Sequence, residues 1–551
     1  MSPLRLRTLS AVLCALPLRA SALTDFAVVV HSDNAASDVS KSKLVRIFKA
    51  EVQEWAPGAP IVLTLPKAGS DEKDALLERV YEMEEGELKR YWTKLVYQNR
   101  ITEQPRAAPS AAVALQIVAR TKAAVAIVPV EALAGVTGVK VLAIDGKKPG
   151  ERDYLLHVAD KPKSEGADDA SARETPPATR DAAAEQDPVR DAQLADLAQR
   201  LERLEGERDA ELEAADEPDL DLRGFGHVEA GLEDVDPDGA GHSTDDAFAL
   251  GGLDLFLTAR LSDRLSFLNE TVFEPTEEGE YVLDVERVVL KYRFGDWLNV
   301  QAGRFHTTLG WWNENFHHGE WLQTSVGRPA VLAFEDEDGI LPVHLVGLVL
   351  KGRNDCELGA LEYTLEVGNG RGPAQDPPQI VVDANDSKAI NLALSFAPSA
   401  IHGLTVGAAS YTDNVPTNDD PALGPLHGAF DEQISVAFAR WESERVELVG
   451  ELFLIDHFGS NSASSSGWYA QAGWRAGAWT PYARVDAVEI ADSEEYFAST
   501  DDLTTFALGC RWDFEDWAAL KLQASRTDVD AGPGGTDETR HALVLQGSFS
   551  I

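Results

Sequence analysis

The sequence predicts a multidomain protein: an N-terminal α/β domain, a short coiled coil and a C-terminal antiparallel transmembrane β-barrel of about sixteen strands. The barrel is assigned to residues 220–551, where apolar and polar side chains alternate along short segments. A strand between lipid and a polar lumen shows that period of two. Short and long connections alternate between the segments, and no apolar run is long enough for a transmembrane helix.

Individual segments show the alternation clearly. The leucines of Leu253–Leu261 fall mostly on one face, and Ile390, Leu392 and Leu394 alternate with polar residues such as Asn391. The predicted short turns are Ser262–Arg264, Gly295–Trp297, Arg353–Asp355, Glu442–Glu444, Ala476–Ala478 and Glu515–Asp516. Tryptophans beside such turns predict an aromatic girdle at the headgroup level; they are Trp297, Trp441, Trp479 and Trp517. Short turns are assigned to the periplasmic side and long acidic loops to the outer side.

Charged side chains of both signs fall on the predicted lumen face, so counting them does not decide the ion selectivity. These residues are Arg260, Glu362, Glu366, Glu447, Glu451, Arg484, Asp486, Arg511 and Lys521.

The third long connection, from His306 to Val343, is the longest and is rich in aromatic residues. We expect it to fold into the lumen as a constriction loop, because aromatic side chains can anchor a loop that packs inside. The candidate constriction residues are Arg304, His306, Trp311, Asn313, His317, His318, Arg328, Glu335, Asp336, Glu337 and Asp338.

The stretch Gln301–Phe305, with Gly310, Asn313 and Arg328 downstream, resembles the corresponding part of the phosphate-selective porins O and P. The resemblance implies a trimeric porin with Arg304 and Arg328 on an anion path, since a guanidinium offers a fork of donors to phosphate. The acidic run Glu335–Asp338 would suit a cation-preferring mouth equally well, or could pair with the arginines.

Four histidines near this loop are candidate metal ligands. His306, His317, His318 and His344 could form a site with Glu320, but their spacing matches no standard motif. The sequence therefore predicts no metal site and no cofactor.

Residues 1–22 read as a secretory signal peptide, with Arg5 and Arg7 before an apolar run and a small-residue cleavage site at Ala20–Ala22. Of the three cysteines, Cys14 belongs to this segment. Cys356 and Cys510 lie on strands predicted to be far apart, so both are expected to be free thiols.

Residues 23–158 alternate predicted strands and helices, which indicates an α/β domain. The succession Val29–Asn34, Leu44–Phe48, Glu54–Gly58, Tyr91-Trp92 and Ala124–Pro129 resembles periplasmic phosphate-binding proteins. The resemblance implies oxyanion binding at helix starts, with candidates Ser32, Asn34, Gly69 and Ser70. Ser32 and Ser70 could equally be helix caps without a ligand.

Residues 159–190 lack large apolar side chains, which predicts a disordered linker. In residues 191–216, leucines at Leu194, Leu197, Leu201 and Leu204 have the spacing of a coiled coil. We expect a short trimeric stalk there, with a single amphipathic helix as the alternative.

The formal net charge of −43 argues against nucleic acid as a partner. The expected partners are outer-membrane lipid and lipopolysaccharide, small solutes or phosphate, and two further copies in a homotrimer. These features predict a channel for passive diffusion in the outer membrane of a Gram-negative bacterium, with the N-terminal domain in the periplasm. The alternative is a barrel-anchored oxyanion-binding or tethering protein. No arrangement of nucleophile and base stands out, so an enzyme is not expected.

Overall fold

The computed structural model describes residues 23–159, 219–238, 243–276, 280–334, 339–375, 383–460, 462–532 and 535–551. The predicted signal peptide, the coiled coil, the linker beyond residue 159 and the acidic run Glu335–Asp338 lie outside these residues. The described residues form two compact units. One contains 23–45, 62–80 and 106–159, and the other contains the barrel together with 46–61 and 81–105. These last two segments lie within the predicted N-terminal domain but pack with the barrel.

The N-terminal region contains short strands and four α-helices. In chain order they are β1 (Leu23–His31), β2 (Asp38–Val39), α1 (Lys41–Phe48), β3 (Glu54–Ala56), β4 (Ala59–Pro60), β5 (Val62–Pro66), α2 (Asp71–Leu76), a π-helical turn (Leu77–Tyr81), α3 (Glu85–Tyr97), β6 (Ala107–Ala108), α4 (Ala111–Arg120), β7 (Ala124–Pro129), a 3-10 turn (Val130–Leu133), β8 (Val139–Val141), β9 (Ala143–Ile144) and β10 (His157–Ala159).

The first unit is built on a mixed sheet of order β10-β1-β7-β5-β6, with β8 also paired to β1. Strand β7 is antiparallel to β1 and parallel to β5. Residues Val28–Val30 of β1 and Ala124–Val128 of β7 are buried, as expected for central strands covered on both faces. Helix α4 packs there through Leu115 and Val118. The sheet and helices confirm the α/β character of this region.

The second unit is a closed antiparallel barrel in which each strand pairs with its neighbours in sequence and β26 pairs with β11. Its strands are β11 (Asp219–Pro237), β12 (Ser243–Arg260), β13 (Leu265–Pro275), β14 (Tyr281–Gly295), β15 (Leu298–His306), β16 (His344–Cys356), β17 (Gly359–Gly368), β18 (Ala389–Pro398), β19 (Leu404–Val415), β20 (Phe430–Glu442), β21 (Val446–Phe458), β22 (Ala463–Trp474), β23 (Trp479–Glu489), β24 (Asp502–Glu515), β25 (Ala518–Asp530) and β26 (Glu538–Ser550). The predicted number of about sixteen strands is confirmed.

The connections between strands alternate in length, and all the shortest ones lie at one end of the barrel. One predicted turn is wrong: Arg353–Asp355 lies within β16, which continues to Cys356 and turns at 357–358. The strand continues because Arg353 pairs in register with Glu362 and their side chains also bond, at 3.0 Å. The run of polar residues predicts a turn, but in the structure it forms the end of a strand, with Arg353 facing inward.

The two faces of the wall differ as the alternation predicts. Ile390, Leu392 and Leu394 are about half exposed on the outer face, whereas Asn391 between them is fully buried inside. The tryptophans at the short turns, Trp297, Trp479 and Trp517, are also about half exposed. Among the described residues, no helix has the length and apolarity needed to cross a membrane. Cys356 and Cys510 are free thiols, as predicted.

Candidate functional site in the barrel interior

The long connection between β15 and β16 spans residues 307–343, and we call it the constriction loop; its described parts, 307–334 and 339–343, pack inside the barrel. It forms a short helix at Trp312–Asn315, and its Trp312 and Trp321 are buried in the core of the barrel unit. Asn313 holds the two ends of the loop together, because its Nδ2 donates to the carbonyls of Thr307 (3.0 Å) and Val343 (2.9 Å).

Two buried carboxylates on the wall hold the first half of this loop. Glu451 on β21 accepts hydrogen bonds from the backbone N–H of Trp312 (2.8 Å) and of Trp311 (2.5 Å), and from the Tyr469 hydroxyl (2.6 Å). Gly310 has φ of +84°, and a Cβ there would lie 2.0 Å from Glu451 Oε2. The glycine therefore lets the backbone approach the carboxylate.

The second carboxylate is Glu366 on β17. It accepts from the backbone N–H (3.0 Å) and hydroxyl (2.6 Å) of Thr308, and from Asn391 Nδ2 (2.8 Å). Both carboxylates are acceptors for N–H groups that would otherwise be buried without partners.

Three basic residues on consecutive strands hold the other half of the loop through its carbonyls. On β23, Arg484 donates to Gly327 O at 2.8 Å. On β24, Arg511 donates to the carbonyls of Trp321 and Gln323 at 2.7 and 2.6 Å. On β25, Lys521 donates to the carbonyls of Glu320 and Ser325 at 2.7 and 3.0 Å. The loop thus lies between an acidic and a basic stretch of wall. Most of these charged side chains form hydrogen bonds with the backbone of the loop.

The remaining lumen-facing candidates are in ion pairs. Asp486 accepts from Arg484 Nε at 2.8 Å, and Glu447 lies 3.1 Å from Arg475. Arg260 and Glu362 both contact the segment 81–105, described below.

Two arginines assigned to the anion path have other contacts. Arg304 Nε donates to the carbonyl of Glu286 at 3.1 Å, and the Arg328 guanidinium lies over the Phe334 ring, 3.5 Å from its centroid. The four predicted acidic partners, Glu335–Asp338, lie outside the described residues.

The histidines of the loop meet Glu286 rather than Glu320. His317 Nε2 lies 3.1 Å from Glu286 Oε2, and His344 Nε2 contacts the same oxygen. His306 stacks on His317, with 3.7 Å between the ring centroids. This cluster is the one group of side chains in the described part of the chain placed to hold a metal ion. The sequence does not reveal this cluster, because its four positions lie far apart in the chain. They meet only when β14, β15 and β16 are aligned and the loop is folded in.

Residues 81–105, which we call the inserted segment, belong to the barrel unit and contact its interior. At the end of α3, Tyr97 is fully buried against the rings of Phe225 and Phe256, with centroids 5.3 and 5.5 Å away. The next residue, Gln98, donates to Asn315 Oδ1 at 2.6 Å, and Tyr97 Oη donates to Phe316 O at 3.2 Å. The tip of α3 therefore contacts the constriction loop.

Ion pairs join the inserted segment to strand ends beside the short turns. Arg100 forms a two-bond pair with Glu362, at 3.1 and 3.2 Å. Arg90 pairs with Asp513, Lys89 with Asp516 and Glu103 with Arg260. These pairs involve β12, β17, β24 and the turn after β24. The three strands are separated from one another around the circumference of the barrel.

Lys94 of α3 differs from these cations, because its ammonium lies over the Trp311 and Phe316 rings at 4.8 and 4.6 Å. Burial lowers the pKa of Lys94 well below its usual value, and the nearby Arg440 and Arg100 lower it further. The faces of the two aromatic rings attract a cation, which partly offsets the free-energy cost of burying the ammonium.

A cavity of ≈ 140 Å³ remains beside the inserted segment. Its lining includes a basic row that the sequence analysis missed: Arg287, Lys291, Arg293, Lys351 and Arg353. Their spacing by two or four residues along β14 and β16 places them on one face, which is the signal that could have identified them. Carboxylates of Glu51, Asp296, Glu314 and Glu362 line the same cavity.

The oxyanion candidates of the first unit serve local structure. Ser70 caps α2, since its Oγ accepts from Lys73 N at 3.3 Å, and Gly69 before it has φ of +74°. Asn34 Oδ1 accepts from Ala36 N at 2.9 Å, and Ser32 N donates to Gly138 O at 2.9 Å. Ser70 and Asn34 therefore have side-chain roles that need no ligand. Ser32 is not a helix cap, because α1 begins only at Lys41.

No family model matches this chain, and no curated protein sequence matches it significantly. Solved structures resembling it include OmpT of Vibrio cholerae, with 10% identity, coverage of 61% of this chain and 98% of that chain, and a TM-score of 0.42. An anion-selective porin from Comamonas acidovorans has 13% identity, 61% and 100% coverage, and a TM-score of 0.43. OprB of Pseudomonas putida has 12% identity, 63% and 97% coverage, and a TM-score of 0.40. The similarity concerns the fold, at identities and TM-scores too low to assign a function.

Proposed function

We propose that the chain is an outer-membrane channel for passive diffusion of small hydrophilic solutes or ions, without enzymatic activity. The observation that carries this proposal is the closed antiparallel barrel with apolar side chains exposed outside and charged side chains buried inside. Such a wall is suited to lipid on one face and hydrated solutes on the other. Barrels of this kind belong to the outer membrane of Gram-negative bacteria.

The resting channel is proposed to be closed at its short-turn end by the inserted segment. The buried Tyr97 and the ion pair of Arg100 with Glu362 support this, because they join the segment to the constriction loop and to the start of β17 beside a short turn. We place the short-turn end and the N-terminal domain in the periplasm, since bacterial barrels have their short turns there. A homotrimer with lipopolysaccharide around its outer loops is part of the proposal.

A preference for phosphate or other oxyanions is the finer proposal. It is supported by the basic row in the cavity, where the Lys291 ammonium is held by the carbonyl of Asn99 from the inserted segment. Withdrawal of the segment would free this ammonium for an anion. It would also uncover Glu362, so the net preference depends on which groups stay paired.

Single-channel recording of the full-length protein in planar bilayers tests the proposal. We expect infrequent discrete openings, in groups of three for a trimer, and the reversal potential in a salt gradient gives the sign of the selectivity. Added phosphate should reduce the current if oxyanions bind in the path. Correctly folded protein that gives no openings, even when Tyr97 is replaced by alanine, would contradict the channel.

A second function is favoured by one observation: residues of the constriction loop and of the inserted segment are buried together with wall residues inside the barrel. A barrel that stays filled would be an anchor for a periplasmic oxyanion-binding or tethering domain. The same recordings separate the two, because the anchor predicts no openings in any variant.

A further inference from the structure

Four buried side chains converge inside the barrel from three strands and the constriction loop. They are Glu286 on β14, His306 at the end of β15, His317 on the loop and His344 at the start of β16. One nitrogen or oxygen from each lies within 4.8 Å of the corresponding atom of every other. The barrel register brings two of them together, since His306 is paired directly with His344.

The hydrogen bonds of Asn313 fix the orientation of His317. Because Asn313 Nδ2 donates to the Thr307 and Val343 carbonyls, its Oδ1 faces His317 Nδ1 at 2.8 Å. An amide oxygen only accepts, so the proton of His317 is on Nδ1. In neutral His317 the lone pair on Nε2 then faces Glu286 Oε2 at 3.1 Å. Two electron-rich atoms at this distance need a proton or a cation between them.

The carboxylate and imidazole groups of the cluster carry more acceptor lone pairs than the N–H protons of its own histidines can readily satisfy. His344 Nε2 contacts the same Glu286 oxygen, and His318 Nε2 lies 3.4 Å from the other one. Within the described chain, neither ring nitrogen of His306 has a hydrogen-bond partner, although Nε2 lies 3.3 Å from Glu270 Oε2. Protonating these stacked, buried rings together would place like charges side by side. One divalent ion would satisfy the carboxylate and three imidazoles at once.

We propose that Glu286, His306, His317 and His344 bind a first-row divalent transition ion, with Zn²⁺ as the first candidate. Imidazole and carboxylate are ligands of Zn²⁺, and four protein ligands are typical of a closed, structural site. Bonds of roughly 2.0–2.1 Å place tetrahedral ligand atoms about 3.3 Å apart, close to the 3.1 Å between His317 and Glu286. Asn313 supplies the outer hydrogen bond that orients a metal-binding histidine.

The ion would join the constriction loop to β14, β15 and β16. The site is therefore structural, and it does not depend on the proposed channel activity.

The test uses the full-length protein folded in detergent, produced without a polyhistidine tag. After incubation with Zn²⁺ and removal of free ion by gel filtration, elemental analysis should find about one zinc per chain. The control His402→Gln alters an exposed histidine in the turn after β18 and should bind equally well. His317→Gln and Glu286→Gln should weaken binding by more than the about 10- to 100-fold caused by changes to outer-shell groups.

Co²⁺ provides a second measurement that needs no variant. In the wild-type protein it should give the intense visible absorption of a tetrahedral site, and Zn²⁺ should remove that absorption. Folded wild-type protein that keeps less than about a tenth of an equivalent of zinc and shows no Co²⁺ band overturns the proposal. Undiminished binding by folded His317→Gln protein also overturns it.

Discussion

The constriction loop and the inserted segment both fill the barrel interior, but they are held in different ways. The loop is held by buried wall residues, such as Glu451 and Arg511, that bond directly to its backbone. The segment is held by the buried end of α3, where Tyr97 packs on wall aromatic rings and Gln98 bonds to Asn315, and by ion pairs that are partly exposed, such as Arg100 with Glu362. The difference indicates that the loop is a permanent part of the barrel and the segment is a part that can leave.

The energetics of the two kinds of contact support this distinction. Removing one partner of a buried charged contact leaves the other group without compensation, at a cost of about 3–5 kcal/mol. The exposed pair of Lys89 with Asp516 should contribute only about 0–1 kcal/mol and is screened by salt, whereas the partly buried pairs of Arg90 and Arg100 are screened less. The segment can therefore be released by changes that leave the loop in place.

The largest expected effect is on the loop, from Glu451→Leu. The substitution leaves three donors without their acceptor: the N–H groups of Trp311 and Trp312 and the hydroxyl of Tyr469. Each unsatisfied group costs about 1–3 kcal/mol, so the free energy of unfolding should fall by about 3–9 kcal/mol. Denaturant unfolding in detergent, followed by tryptophan fluorescence, measures it.

Glu447→Leu on the same strand is the matched control. Its partner Arg475 keeps a second carboxylate, Glu442, so the free energy of unfolding should change by about 1 kcal/mol or less. Equal losses in the two variants would contradict the special role of Glu451.

The next effect is on the segment, from Tyr97→Ala. Removing a buried aromatic ring costs about 3–5 kcal/mol, which should raise the ratio of open to closed channels by more than 100-fold. Tyr97→Phe keeps the ring and loses the hydroxyl that donates to Phe316 O, so it should raise that ratio about fivefold. Single-channel recording measures both. If the two variants open equally often, the ring does not hold the segment.

The smallest effect comes from salt. Raising the salt from about 0.1 M to 1 M shortens the screening length from about 10 Å to 3 Å. The ion pairs of Lys89, Arg90 and Arg100 should weaken, and the open fraction should rise about fivefold. The conductance of each opening, divided by that of the bath, should stay constant because the loop does not move. An unchanged open fraction would show that these pairs do not hold the segment.

The barrel could be predicted from the sequence because it depends on local patterns. Alternation in segments such as Ile390–Phe396 specifies the two faces of a strand, and the length and aromatic content of residues 306–343 indicate the inward loop. The error at Arg353–Asp355 also has a local cause, since polar residues at an inward strand end resemble a turn.

The contacts inside the barrel could not be predicted, because they depend on register and on distant segments. Glu286 and His317 meet only when β14, β15 and β16 are aligned and the loop is folded in. Nothing around Tyr97 in the sequence indicates that α3 ends inside a barrel encoded more than a hundred residues later. The alternation in β25 predicts the inward face for Lys521, but its backbone partners Glu320 and Ser325 depend on the folded loop.

The basic anchors of the constriction loop lie on β23, β24 and β25, near the end of the chain. A growing or translocating chain therefore contains the loop and its acidic anchors long before Arg484, Arg511 and Lys521 are available. Until these late strands join the wall, the carbonyls of Trp321, Gln323 and Gly327 have no donors from them. We therefore expect the second half of the loop to fold only after these strands have joined the wall, and a barrel without them would lack the donors for that half.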